Sequence, residues 1–194
     1  MHMRTQVDRL TALMNDLLEL GRPMEKSLLR QESLAEICTL SIDAWRQSKW
    51  GKGREVVLSR PTDGKDVVLL ADVKKLQQVF INLLDNAAQH SPEVSVITIE
   101  ILASRENATE VRVADRGEGV PADVLPRVFD TFFTTRRGGT GLGLNIVKHI
   151  VETHGGSISL SASAVVDFAC EARLIAAIDT RRVSDTMFYG LWSF

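Results

Sequence analysis

The chain has 194 residues, room for one domain of moderate size with some sequence left over. A net charge of −2 carries no basic footprint for nucleic acid, and no apolar run approaches the ~20 residues needed to cross a bilayer. Cys38 and Cys170 lack metal-ligand spacing and read as buried thiols in a reducing compartment; the Met-His-Met start, with no signal peptide, reads as a cloning remnant on a soluble piece of a longer protein.

Residues 4–20 predict a first helix. Val7, Leu10, Met14 and Leu17 keep the spacing of a bundle seam, Leu13, Leu18 and Leu20 widen it, and Gly21 and Pro23 stop it. A stripe this wide needs a partner. Residues 27–31 read as a short strand. Ser33 and Glu36 form a capping box before a helix with Leu34, Ile37, Leu40, Ser41 and Ala44 on one stripe toward Trp45. Gly51 and Gly53 mark a loop. Residues 56–59 and 67–70 read as two strands joined by a turn at Pro61, Asp63 and Gly64.

Asp72 is placed to cap a long central helix beginning at Val73. Its apolar stripe is Leu76, Val79, Phe80, Leu83, Leu84 and Ala87. Asn82, Asn86 and His90 recur at i, i+4 and i+8 along another face. Asn is a poor helix former, so two of them one turn apart beside a packed stripe suggest a task.

Residues 94–103 and 110–114 are further strands, with a turn at 106–108. Residues 120–128 form a loop and short helix interrupted by Pro121 and Pro126. Residues 142–153 predict an amphipathic helix with Ile146, Val147, Ile150 and Val151 inward. His154 and Gly155-Gly156 follow where a helix end favours a cation and a C′ glycine, so His149 and His154 read as structural. Residues 157–160 and 173–178 are the last two strands. The mixture predicts an α+β fold: a two-layer α/β sandwich with helices over one face of a mixed sheet, preceded by one long helix.

Four stretches carry chemistry. They are QQVFINLLDNAAQHS at 77–91, DRGEG at 115–119, FDTFFTT at 129–135 and GGTGLGL at 138–144. In this order they resemble the N, G1, F and G2 boxes of the ATP-binding domain of sensor histidine kinases, part of the GHKL superfamily shared with gyrase, HSP90 and MutL. The resemblance spans about residues 3–160 and implies the Bergerat ATP-binding fold, with ATP and Mg2+ as ligands. Residues 7–23, VDRLTALMNDLLELGRP, resemble the second helix of the kinase dimerisation hairpin; the helix bearing the phospho-accepting His is not in this chain.

Asn86 offers a neutral amide oxygen suited to Mg2+ that keeps several waters, and the resemblance makes it the metal ligand. Asn82 stands where ATP-hydrolysing relatives carry a Glu. Asn cannot act as a general base at neutral pH, which favours a kinase over an ATPase. The resemblance assigns Asp115 to the adenine amino group, with Gly117 and Gly119 allowing close backbone approach. Gly139, Thr140, Gly141, Leu142 and Gly143 lead directly into a helix, so free N–H groups face an anion. Phe129, Phe132 and Phe133 are expected to anchor a short lid on which Arg136 and Arg137 reach the β- or γ-phosphate.

Three departures stand out. Gln89 replaces a frequent Lys, which puts more of the phosphate contact on the lid arginines; His90 replaces a frequent Tyr; Glu118 stands where a small or apolar residue is usual. After Leu160 the usual family ending is absent. The expected organisation is therefore a partial hairpin (1–23), an ATP-binding catalytic domain (24–179) and an unassigned tail (180–194). The short lid looks most like the nitrogen-regulation type of sensor kinase.

The resemblance implies transfer of the γ-phosphoryl to a histidine on a dimerisation hairpin, a response regulator receiver domain downstream and a homodimeric parent. It further implies a cytoplasmic location, with no nucleic acid partner and no membrane segment in this chain. An anti-sigma-factor-type serine kinase of the same superfamily is the alternative enzyme, against which the seam helix argues. A nucleotide-gated interaction module is the non-enzymatic alternative.

Overall fold

The computed structural model describes residues 28–61, 64, 66–105, 108–136, 139–161 and 170–177, together with Thr11, Leu13, Met14, Leu17, Leu18, Leu20 and Gly21. The first six are helical, as the seam pattern predicts, and Gly21, expected to stop the helix, is helical too; Leu13 and Leu20 pack against the core while Met14, Leu17 and Leu18 stay exposed. The rest of the predicted first helix, and residues 178–194 with the tail expected at 180–194, lie outside the described residues. In chain order follow β1 (Arg30–Ser33), α1 (Leu34–Arg46), β2 (Val56–Ser59), β3 (Val68–Ala71), α2 (Val73–His90), β4 (Ile97–Arg105) and β5 (Ala108–Asp115). A 3-10 turn (Leu125–Arg127), α3 (Gly143–Thr153), β6 (Ser157–Ser161) and β7 (Cys170–Ala177) complete the set.

The main sheet has the order β2-β4-β5-β7-β6, parallel between β2 and β4 and antiparallel elsewhere. Alternate residues Ile97, Ile99 and Ile101 of β4 and Val111 and Val113 of β5 are buried, as a strand with one covered face requires. The covering layer is helical: α1 brings Ile37 and Trp45, α2 brings Val79, Phe80 and Leu84, and α3 brings Ile146 and Ile150. This is the expected two-layer α/β sandwich. The two strands read on either side of the expected turn are present, the second one residue later at Val68–Ala71, and they do not pair with each other. β3 pairs with β1 in a separate two-stranded sheet, while β2 joins β4 in the main sheet. The turn residues between them end one strand and start another without choosing a partner. The predicted strand at 27–31 likewise lies slightly later, at Arg30–Ser33, where it meets β3.

The central helix is pinned at both ends. Asp72 Oδ1 accepts the backbone N–H groups of Lys74 and Lys75 at 3.0 and 3.2 Å, the predicted N-cap. The backbone N–H of Asp72 is in turn donated to His154 Nε2 at 3.2 Å, while His154 Nδ1 lies 2.8 Å from the Ile150 carbonyl. That pattern requires a neutral imidazole with its proton on Nδ1, so His154 ties two helix ends together rather than serving as the expected cation. Beyond it, Gly156 N–H bonds to Val151 O and Gly155 N–H to Glu152 O, a Schellman ending with Gly155 at φ +77°.

At the far end of α2, Arg54 does what no motif announced. Its guanidinium donates to the carbonyls of Ala88 (2.6 Å), Ser91 (3.2 Å) and Pro92 (2.9 Å) and to Ser91 Oγ (3.2 Å). A cation there satisfies orphan carbonyls and complements the helix dipole. Arg54→Ala is expected to cost about 1–2 kcal/mol of stability, read as a lower urea midpoint, with exchange of the amides near 88–91 accelerated first. Among the described residues no helix is long and apolar enough to cross a membrane. Cys38 is fully buried, and burial pushes its thiol up to about 12, so it is chemically inert.

Candidate functional site

The polar face of α2 is the floor of a cavity of about 830 Å3. Because Leu76, Val79, Phe80, Leu83, Leu84 and Ala87 are spent on the core, residues 82, 86 and 90, and 85 and 89, are left facing it at helical spacing. The end of β5 places Asp115 on the wall, and residues from 118–128, 133–136 and 140–144 close the rest. The structure therefore brings together Asn82, Asn86, Gln89, His90, Asp115, Gly119, Phe133, Arg136, Thr140, Gly141 and Gly143, all expected from sequence. Arg137 lies outside the described residues.

Three expected residues do not line the cavity and instead hold its walls. Gly117 donates its N–H to Asp115 Oδ1 at 2.7 Å, and any Cβ on it would overlap the His90 carbonyl, so the turn is locked onto the end of α2. Gly139 packs on the Thr134 hydroxyl. Leu142 is fully buried and plugs the start of α3 into the core. At Gly141, φ is +68° and a Cβ would strike the Phe132 backbone; there the Phe132 N–H bonds to Gly141 O at 3.0 Å. Phe132 itself has φ +66° and an exposed ring, so of the three phenylalanines it is not an anchor. Phe133 lines the cavity under the Arg127 guanidinium, 4.5 Å from its centroid, and the Phe129 carbonyl is held by Asn145 Nδ2 at 3.0 Å.

Asp115 is 4% exposed, and burial pushes its carboxyl up to about 6, partly opposed by the Gly117 N–H. Its second oxygen is the acceptor left for a ligand. Asn82 Nδ2 approaches the Gly143 carbonyl at 3.5 Å, joining the α2 floor to the start of α3. No described residue hydrogen-bonds the Asn86 carboxamide, which faces the cavity. Among the described residues no cluster of three His, Cys, Asp or Glu could hold a metal by itself. A single neutral oxygen in an open cavity fits a hard cation that takes its other ligands from phosphate and water.

Asp85 was missed, although its spacing of four from Gln89 puts it on the same face. The buried Trp45 donates Nε1–H to Asp85 Oδ1 at 2.8 Å. Burial raises the Asp85 carboxyl, opposed by that hydrogen bond and by the charge of Arg136. Burial also lowers Arg136, opposed by Asp85, and lowers His90, where Arg136 acts in the same direction.

A mixed sheet under three helices, with a carboxamide-lined helix, a buried Asp at a strand end and a glycine turn opening a helix around one cavity, defines a nucleotide-binding domain. Residues 71–175 match the family described as Histidine kinase-, DNA gyrase B-, and HSP90-like ATPase, and the chain belongs to that family. Its ATP-binding domain is of the histidine kinase type. The sensor protein KdpD of Clostridium acetobutylicum is 41% identical over 120 residues, 58% of this chain and 13% of that protein. The sensor histidine kinase ZraS of Salmonella typhi is 34% identical over 160 residues, covering 82% of this chain and 34% of that protein. The catalytic domain of histidine kinase ThkA superposes with a TM-score of 0.66 at 27% identity, covering 80% of this chain and 97% of that one. The chain thus spans about a third or less of the length of these two sensor proteins.

Proposed function

We propose that this chain binds Mg·ATP in the α2 cavity and transfers the γ-phosphoryl to a histidine carried on a dimerisation hairpin. The observation that supports this best is the shared cavity: the Asn82 and Asn86 pair and Asp115, two separately read signals, face one space of nucleotide size. In this reading Asp115 accepts from the adenine amino group, which needs an acceptor held in place, and the Gly117 N–H holds it. His90 and Phe133 pack beside the nucleoside, and Thr140, Gly141 and Gly143, which line the cavity at the start of α3, bring their backbone to the phosphates. Asn86 would hold Mg2+, which when bound draws charge from the phosphate oxygens. Arg136 supplies the cation on the lid side, and Arg137 is proposed to share that work.

Asn82 leaves the α2 floor without the base that would send the phosphoryl group to water, and the carboxylate one turn on, Asp85, is already engaged by Trp45. Transfer then depends on an acceptor held in line with the γ-phosphoryl. None of His2, His90, His149 and His154 has the acidic neighbour and downstream Arg-x-Pro pattern of the family's acceptor, and His154 is consumed by Asp72. In the proposed organisation residues 1–23 are the second hairpin helix, 24–179 the catalytic domain and 180–194 a tail, in a homodimeric, cytoplasmically facing sensor kinase that passes its phosphoryl group to a response regulator.

Incubation with γ-labelled ATP tests the proposal. The chain alone should neither label itself nor hydrolyse ATP quickly, and a supplied hairpin bearing its His should become labelled. Strong self-labelling mapped to one of the four histidines, or no transfer to a hairpin despite ATP binding, would count against it.

A further inference from the structure

The last turn of an α-helix leaves carbonyls that no N–H further along the helix can reach. Helix α3 closes its own end with the Schellman turn at Gly155 and Gly156. Helix α2 does not: Ser91 goes straight to extended backbone at φ −115°, ψ 154°, and Pro92 follows with no N–H to give. The end of α2 is held from outside, and from two sides.

On one side Arg54 takes the carbonyls of Ala88, Ser91 and Pro92 and the Ser91 hydroxyl, which itself donates to Ala87 O at 2.7 Å. On the other side the His90 carbonyl is covered by Gly117, so closely that no Cβ would fit. The Gly117 N–H in turn donates to Asp115 Oδ1 at 2.7 Å. The turn that Arg54 holds is thus the seat of the residue that orients the Asp115 carboxylate.

Arg54 can serve as a fixed point because its own loop is tied down. It is half-buried, and its backbone N–H bonds to Gly51 O at 3.2 Å. Ser48 Oγ accepts the N–H groups of Trp50 and Gly51 at 3.2 and 3.1 Å. Any Cβ on Gly51 would overlap the Trp45 carbonyl, so the loop sits directly on the end of α1. Trp45 holds α2 as well, through Asp85 Oδ1 at 2.8 Å. Arg54 itself does not line the cavity. Whatever it does to a ligand passes through the last turn of α2.

We propose that Arg54 is a positioning residue for adenine recognition: by holding the last turn of α2 it fixes the seat of Gly117 and, through Gly117, the aim of the Asp115 carboxylate. This rests on the ATP reading above and deepens it, because selectivity for the base is then set partly by a residue outside the cavity.

The test uses the full chain, with calorimetry against ATP, ADP and GTP in excess Mg2+ and the Gly117 amide signal by NMR without nucleotide. Arg54→Met keeps most of the stem and removes the guanidinium. It should weaken ATP and ADP by the same factor, about threefold to tenfold, since both carry the adenine, and should lower the preference for ATP over GTP. The Gly117 N–H, donated to a carboxylate, should move upfield and exchange faster than in the parent chain. Arg54→Lys keeps the charge, but one ammonium cannot span four acceptors, so it should fall between. Asp72→Ala removes the cap at the opposite end of the same helix. It should lower the urea midpoint comparably while leaving the nucleotide affinities and the Gly117 signal as they are.

Equal losses of adenine binding in Arg54→Met and Asp72→Ala would reduce Arg54 to a general stabiliser and overturn the proposal. So would a Gly117 signal and an ATP-over-GTP preference indifferent to Arg54, or a loss confined to ATP and spared in ADP. Should Arg54→Met fail to fold, the same signals in Arg54→Lys decide. A parent chain that binds no adenine nucleotide, while its Gly117 signal follows Arg54 and ignores Asp72, would instead defeat the ATP reading and leave the positioning standing.

Discussion

Asp115→Asn is expected to make the domain more stable and to weaken ATP binding about a hundredfold. Both effects have one source. The carboxyl of Asp115 is raised from 3.8 to about 6 by burial, so the folded state holds a proton that the unfolded chain releases earlier. The stability conferred by the neutral form is fully present below about pH 4 and is lost as pH rises to about 6. At neutral pH the buried charge is a standing cost. A neutral amide of the same shape should recover about 1–2 kcal/mol of it, seen as a rise of a few degrees in Tm.

Binding moves the other way for a geometric reason. The Gly117 N–H selects an oxygen at the Oδ1 position, so asparagine must turn its NH2 toward the ligand, where the adenine amino group is also a donor. Guanine presents a carbonyl at that edge, so the ATP-over-GTP preference should erode or invert. The parent chain's ATP affinity should also fall as pH drops through about 6 relative to the Asn variant, a ratio in which ATP's own titration cancels. Unchanged ATP affinity, or a less stable variant, would remove Asp115 from the adenine contact.

What was legible in the sequence was local and periodic. The α2 stripe, both of its asparagines and the Asp72 cap follow from spacing within a few turns. So do the Schellman glycines after α3. Where pairing is decided at a distance, local signals fell short. Residues 56–59 and 68–71 are correctly strands, yet which neighbour each takes is set by sheet register, which a turn-like linker does not encode. The site divides in the same way. Asn82, Asn86 and Asp115 were readable because each sits in a short motif. The Trp45–Asp85 contact was not, because it joins residues 40 apart on two helices that meet only in the folded sandwich. Arg54 gave no signal either: a basic residue after a glycine loop is commonplace, and its value comes from where the helix end happens to lie. Leu142 and Gly117 show a further limit. A motif marks residues that the site needs, without separating those that touch a ligand from those that shape the wall behind it.

Asn86→Ala carries the second large effect. Asn86 has no described protein partner for its carboxamide, whereas Asn82 already leans on the Gly143 carbonyl. If it supplies the only protein oxygen to Mg2+, its removal leaves the metal held by phosphates and water alone. ATP affinity measured in excess Mg2+ should then fall by an order of magnitude or more, about the contribution of a hydrogen bond or ligand to a charged group. Affinity measured in a chelator should hardly change, because without the metal the carboxamide has little to do. The fold should not suffer, since Ala is the better helix former by up to about 0.7 kcal/mol and no buried partner is stranded. Titration calorimetry of both proteins, with Mg2+ and with chelator, separates the metal role from a direct contact with the nucleotide. Equal losses in the two conditions would make Asn86 a phosphate or sugar contact, and unchanged affinity in Mg2+ would place the metal elsewhere in the cavity.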